Sequence, residues 1–368
     1  MPAQKSVSSI DTLAKKLLTG AVSMLLLSLS GFWIAYGLST IIRDHLVDFV
    51  AFHGAGKNIL GGLSPYDFYP TAFGASTFQS PLWLGWLFVP LAILPIDQAF
   101  VVFGVVGCGL LLVCLRVVLG WQGAKLSPLN FFYLYGCALV LSYHTIGFGQ
   151  VTILQLTAVV MVIAALHSHR PVVAGLIMPL VLIKPHLVLF FLVAALQRGG
   201  RRMLLAGIGS TLLLALAAFL SQPSWLADML RIVVVGQLKS QMEWAKFATL
   251  TGMFSLPPWL GALVLLLSLP ILLWLDKRFR SLPVAIWLSI ALVLSLVTAP
   301  YAFAYDLPLL LPALVWLCLP WSERSIILVF AVAYVAILAG FTGISYAAML
   351  AIAILAVGRA MIQPRIHE

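Results

Sequence analysis

Apolar runs separated by short polar turns occupy almost the whole chain, and their lengths predict membrane helices rather than strands or soluble amphipathic helices. Twelve runs read as spans: about 19–42, 98–118, 129–146, 151–166, 171–183, 187–197, 203–220, 260–275, 283–298, 307–320, 325–341 and 345–361. The segment Pro81–Pro95 is apolar but short for a span, and Pro90 interrupts it. Its prolines and its two tryptophans, Trp83 and Trp86, suit a re-entrant or interface-lying helix. Two long loops interrupt the pattern, residues 43–97 after the first span, polar from 43 to 80, and residues 221–259 in mid-chain. No repeat of fixed period and no low-complexity segment divides the chain, so a single polytopic domain over residues 1–368 is expected.

Composition agrees with this pattern. Hydrophobic residues make up 62% of the 368 positions and charged residues 9%, far from the roughly 25% charged of soluble domains. The chain carries 21 Lys and Arg against 11 Asp and Glu. That excess sits in short turns between apolar runs, which marks cytoplasmic loops. No basic run is interleaved with exposed aromatics, so a nucleic-acid partner is not expected. Placing 81–95 outside the span count puts HSHR (167–170), QRGGRR (197–202) and DKRFR (276–280) on the same side as both termini. Cys108, Cys114, Cys137 and Cys318 lie within apolar runs without metal spacing and read as small buried hydrophobes.

The opposite face collects mixed chemistry. On the same topology Asp44, Asp48, His53, Lys57, His144, Gln150, Lys184, His186, Asp306 and Arg231 all fall there. Ionisable groups so close to a bilayer are costly, so their convergence points to a site. Asp48 follows the first span and opens a run in which Asp48, Phe52 and Ala55 share one helical face. Gly61-Gly62 ends that helix, and Ser64-Pro65-Tyr66-Asp67 forms a turn. Either Asp48 caps the helix, or it is a carboxylate placed to act as general base on a hydroxyl.

The run from Asp48 to Tyr66, D-F-x-A-F-x-x-A-G-K-N-I-L-x-G-L-S-P-Y, resembles the first extracytoplasmic loop of glycosyltransferase family 87. The proline-rich segment from Ser80-Pro81-Leu82 to Leu94-Pro95, the F-G-Q of residues 148–150, the A-G-L-x-x-P-L-x-x-I-K-P of residues 174–185 and the P-Y-A-F-A-Y-D-L of residues 300–307 extend the likeness in order along the chain. The resemblance implies an all-α integral membrane protein of the C-type glycosyltransferase fold, with about twelve transmembrane helices and extracytoplasmic juxtamembrane helices. It implies a bacterial inner-membrane enzyme with its site facing the periplasm or exterior. The donor would be a polyprenyl-phosphate sugar, with a mannose-like hexose favoured. The acceptor would be a hydroxyl on a glycan or glycolipid, and the transfer inverting. No cofactor or metal is implied, and the chain has no D-x-D.

Within that likeness Asp48 is the candidate catalytic base. A departing lipid phosphate needs cationic stabilisation, for which Lys184 is the first candidate and Lys57 and Arg231 are alternatives. Asp44, His53, Tyr66, Gln150, His186, Tyr305 and Asp306 are candidate substrate-binding residues, and Asp306 is alternatively an ion-pair partner for Lys184. The late loop lacks the His that related sequences often carry, leaving His53, His144 or His186 to compensate. A rival reading is a secondary transporter or lipid flippase. No internal repeat favours it, and Asp48 and Asp306 fall at helix ends rather than in mid-helix.

Overall fold

The computed structural model describes residues 47–67, 69–71, 74–121, 128–239, 258–317 and 343–362. The first predicted span, the one at 325–341, Asp44 and Cys318 lie outside these residues. α1 (Val47–Leu60) starts where the first polar stretch predicts a helix and ends at Gly61 and Gly62. Gly62 has φ +70°, the left-handed geometry that glycine adopts without strain. The Leu63 N–H returns to the Asn58 carbonyl at 2.8 Å, and Ser64 and Asp67 close the following turn. A small antiparallel hairpin, β1 (Tyr69–Thr71) with β2 (Gly74–Ser76), leads into α2 (Leu82–Ala92).

At 11 residues, α2 is about 16 Å long by helical rise, too short for a bilayer core. It lies instead against α1. Their backbones approach so closely that a Cβ on Gly56 would stand 2.8 Å from the Phe88 carbonyl oxygen. Pro81–Pro95 thus contains a short helix packed on α1.

The main bundle follows: α3 (Ile96–Trp121), α4 (Pro128–Leu141), α5 (Tyr143–Gly147), α6 (Thr152–His167), α7 (Pro171–Val181), α8 (Leu189–Ser221), α9 (Trp225–Lys239), α10 (Pro258–Arg278), α11 (Val284–Val297), α12 (Leu311–Leu317) and α13 (Gly343–Ile362). Among the described residues, two helices, α3 and α8, are long and apolar enough by themselves to cross a membrane. The two spans expected at 187–197 and 203–220 appear as the two legs of α8, broken at Gly200 (φ 61°, ψ −160°). The long loop expected at 221–259 is partly helical, since α9 fills its first half.

Two packed cores organise these helices. The larger is mostly aliphatic and joins α3, α4, α6, α7, α8, α10, α11, α12 and α13, with the fully buried Trp287 among its members. The smaller is aromatic and gathers Phe49, Phe52, Phe88, Phe100 and Phe103 from α1, α2 and α3, with Phe78 from the loop before α2. Outside the cores the surface is apolar as well: Val101, Val105, Leu205, Leu212, Leu220 and Leu267 are among the exposed residues. Water would not tolerate faces of this kind, and lipid would.

Charge separates along the bundle axis. α6 carries the chain from Thr152 to His167, α7 returns it, and α8 departs again toward Arg198. Arg170, Arg198, Arg201 and Arg202 therefore lie at the end of the bundle away from Thr152 and Lys184. There Arg198 donates to the Phe279 and Arg280 carbonyls at 3.1 and 2.9 Å, and the buried Asp276 accepts from the Trp287 indole at 2.6 Å.

Candidate active site

At the other end, three chain breaks meet. The first is the junction between α5 and α6, residues 148–151. The Phe49 N–H at the start of α1 donates to the Phe148 carbonyl at 3.1 Å. Gly149, at φ +65°, permits this contact, since a Cβ there would stand 2.6 Å from the Phe49 Cβ. α1 is thereby seated on the loop, and Asp48 receives a hydrogen bond from the Gln150 side chain. Removal from water pushes the Asp48 carboxyl above its ordinary range. The Gln150 hydrogen bond and the Lys184 charge oppose that shift, and the Asp306 charge adds to it.

The second break is the α7–α8 turn. Pro185 cannot continue a helix, so α7 stops and a short 3₁₀ turn, Pro185–Leu187, carries Lys184 and His186 into the site. The third is the 300–310 segment, whose 3₁₀ helix Ala304–Leu310 presents Tyr305 and Asp306.

Lys184 and Asp306 form an ion pair at 2.7 Å. Thr152, the first residue of α6, completes the knot: its hydroxyl donates to Asp306 Oδ1 at 2.8 Å and accepts from Lys184 Nζ at 3.2 Å. Asp306 Oδ2 accepts the Phe303 N–H at 3.0 Å. Both oxygens of Asp306 are therefore engaged, which suits a counter-ion and suits a proton acceptor poorly. The Lys184 ammonium also lies 4.5 Å from the centre of the Tyr305 ring, within cation–π range. Thr145 in α5 fixes the same segment by donating to the Tyr305 carbonyl at 2.6 Å. Burial raises the Tyr305 phenol well above its usual range and the Tyr301 phenol to about 12.

His186 packs against Tyr301, with ring centres 4.0 Å apart and the rings tilted by 30°. Burial lowers its pKa to about 4, so near neutral pH it is an uncharged imidazole and not a phosphate-binding cation.

Six of the residues singled out from the sequence thus converge: Asp48, Gln150, Lys184, His186, Tyr305 and Asp306. The others do not join them. Lys57 stands in the last turn of α1, nine residues and about 14 Å of helix from Asp48. Arg231 is exposed on α9. Tyr66 is buried against Phe78 and donates to the Ser80 carbonyl at 3.1 Å. His53 is buried, with Nε2 3.1 Å from the Leu94 carbonyl oxygen, and ties α1 to the α2–α3 connection. Asp44 lies outside the described residues.

Sequence reasoning missed Thr152, Thr145 and Gln155. Thr152 and Gln155 had a usable signal: two polar side chains three apart on a mostly apolar span share one helix face.

Comparison with known families adds one finding. The model of glycosyltransferase family 87 matches residues 78–320, more than half of the chain. Gln150, Lys184, His186, Tyr305 and Asp306 fall within the match, whereas Asp48 and α1 precede it. No curated protein and no solved structure matches the chain.

Proposed function

The chain belongs to glycosyltransferase family 87, and from that membership we propose that it transfers a hexose, mannose-like by preference, from a polyprenyl-phosphate donor to a hydroxyl of a glycan or glycolipid. The observation that carries this reading is the meeting of a carboxylate and a cation at one end of the bundle. Asp48, on α1, is poised by burial toward a higher pKa, as a general base requires. Lys184 supplies the positive charge that a departing phosphate needs. Asp48 takes the proton from the acceptor hydroxyl as its oxygen attacks the anomeric carbon. The bond from that carbon to the lipid phosphate breaks, and the phosphate leaves with the electron pair toward Lys184. One displacement of this kind inverts the anomeric centre, and Asp306 keeps Lys184 in place throughout.

The same reading sets the enzyme in a bacterial inner membrane as one polytopic domain of about twelve spans. Residues 43–97 and 221–259 then form extracytoplasmic loops, and the site faces the periplasm or exterior. The separation of Arg170, Arg198, Arg201 and Arg202 from the site end supports that orientation.

The test is reconstitution. Purified protein supplied with a polyprenyl-phosphate hexose and membrane glycolipid acceptors is expected to form product, and a nucleotide-sugar donor is expected to give none. Transfer from the nucleotide sugar alone would overturn the donor assignment. In intact cells, Gly62→Cys should react with an impermeant thiol reagent and Arg201→Cys should not. The reverse pattern would put the site on the cytoplasmic side.

A further inference from the structure

Lys184 depends on α6 at two levels. Thr152 holds its ammonium beside Asp306, as described above, and Gln155 holds its backbone. Gln155 is fully buried, and its Nε2 donates to the Val181 carbonyl at 2.9 Å and to the Lys184 carbonyl at 3.0 Å. Both partners are acceptors, so the orientation of the amide is fixed by what it touches.

In a continuing helix the Val181 carbonyl would accept the N–H four residues on. That residue is Pro185, which has no N–H. Gln155 supplies the missing donor from the neighbouring helix, and its second hydrogen reaches the carbonyl of Lys184 itself. Gln155 Oε1 is buried without a hydrogen-bond partner among the described residues. An apolar side chain of similar volume would avoid that penalty, so packing alone gives no reason for an amide at this position.

We infer that Gln155 is a positioning residue that acts through Lys184: it replaces the hydrogen bond lost at Pro185 and sets the turn from which the Lys184 ammonium reaches the site. The consequence for donor affinity rests on the reading of Lys184 as the phosphate-binding cation. The geometric content does not, and the experiment separates the two.

Full-length Gln155→Met protein, purified in detergent, is compared with wild type in two measurements. The first is acetylation of Lys184 by acetic anhydride, followed by mass spectrometry. A loosened turn exposes the amine, so labelling should rise severalfold. Unchanged labelling would overturn the inference, whatever the donor does.

The second is transfer kinetics with a polyprenyl-phosphate hexose. The KM for donor should rise about tenfold, as expected for loss of a charge-assisted contact, while kcat stays within a few-fold. In a Lys184→Gln background the same substitution should add less than about twofold, because the residue it positions is already gone. An equal loss in both backgrounds would make Gln155 a packing residue and overturn the inference.

Gln155→Glu keeps the volume and, when protonated, one of the two donors. It should label to an intermediate extent, and it carries the same comparisons if Gln155→Met does not fold. If Lys184→Gln itself leaves donor KM unchanged while Gln155→Met still raises labelling, the phosphate reading fails and the positioning stands.

Discussion

The two cores of the protein hold their charged residues by opposite means. The aromatic core seats α1 by ring contact: Phe52 stacks on Phe88 with ring centres 5.1 Å apart, and Phe49 meets Phe100 edge-on at 5.4 Å. Such pairs contribute about 0.5–1.5 kcal/mol each beyond their burial. Asp48 rides on that layer with Gln150 as its hydrogen-bond donor. The aliphatic core instead ends in polar side chains, and there Lys184 is fixed by Asp306, Thr152 and the Gln155 amide. The difference matches the chemistry that the proposed roles ask of each group. A base gains from partial desolvation, which raises its affinity for a proton. A phosphate-binding cation must stay charged, and a buried cation needs a counter-ion until the donor arrives.

The comparison is tested most severely at Asp48. Asp48→Asn preserves size and hydrogen bonding but cannot take a proton. It should fold and bind donor yet transfer at least about a hundredfold more slowly, the usual contribution of a general base. Asp44→Asn should stay within about tenfold of wild type on the same scale. Near-normal turnover in Asp48→Asn would remove the base from the aromatic side of the site.

Lys184→Gln addresses the polar side. Donor affinity should fall about tenfold to a hundredfold, equivalent to about 1.5–3 kcal/mol for a charge-assisted hydrogen bond. Lys184→Arg should keep part of it. Equilibrium binding of the polyprenyl-phosphate sugar decides between these outcomes.

Gly149→Ala attacks the joint between the two cores. The left-handed backbone alone costs about 1–2 kcal/mol for a residue with a Cβ, and the Phe49 side chain stands where that Cβ would go. The melting temperature should drop and α1 should shift. Since a displacement of about 1 Å can cost a hundredfold in rate, transfer should fall more than stability suggests. A variant with lowered melting temperature and unchanged rate would show that Asp48 does not depend on this joint.

The smallest effect is a displaced pH profile. With Asp48 as the proposed base, the protonated form cannot react, so rate should rise with pH through a midpoint above the ordinary carboxylate value of about 3.9. Lys184→Gln removes a positive charge that lowers the Asp48 pKa, so the midpoint should move up. Asp306→Asn removes a negative charge that raises it, so the midpoint should move down. Shifts in the other sense would mean that a different group is titrating.

What was legible in the sequence is local. The stop of α1 at Gly61-Gly62 and the end of α7 before Pro185 follow from backbone chemistry that each short segment carries by itself. The apolar faces follow from composition, which selects lipid without reference to distant residues. Membership of the bundle and the candidacy of Asp48, Gln150, Lys184 and Asp306 were therefore readable from the chain. Their partners were not. Lys184 and Asp306 are 122 positions apart, and Thr152 is 154 from Asp306. His53 and Tyr66 looked as suitable for substrate as His186 and Tyr305, yet packing turned the first pair toward the Leu94 and Ser80 carbonyls. A hydrogen bond is short-ranged and directional, so its partner is settled only when helices from distant parts of the chain have packed and brought their broken ends together.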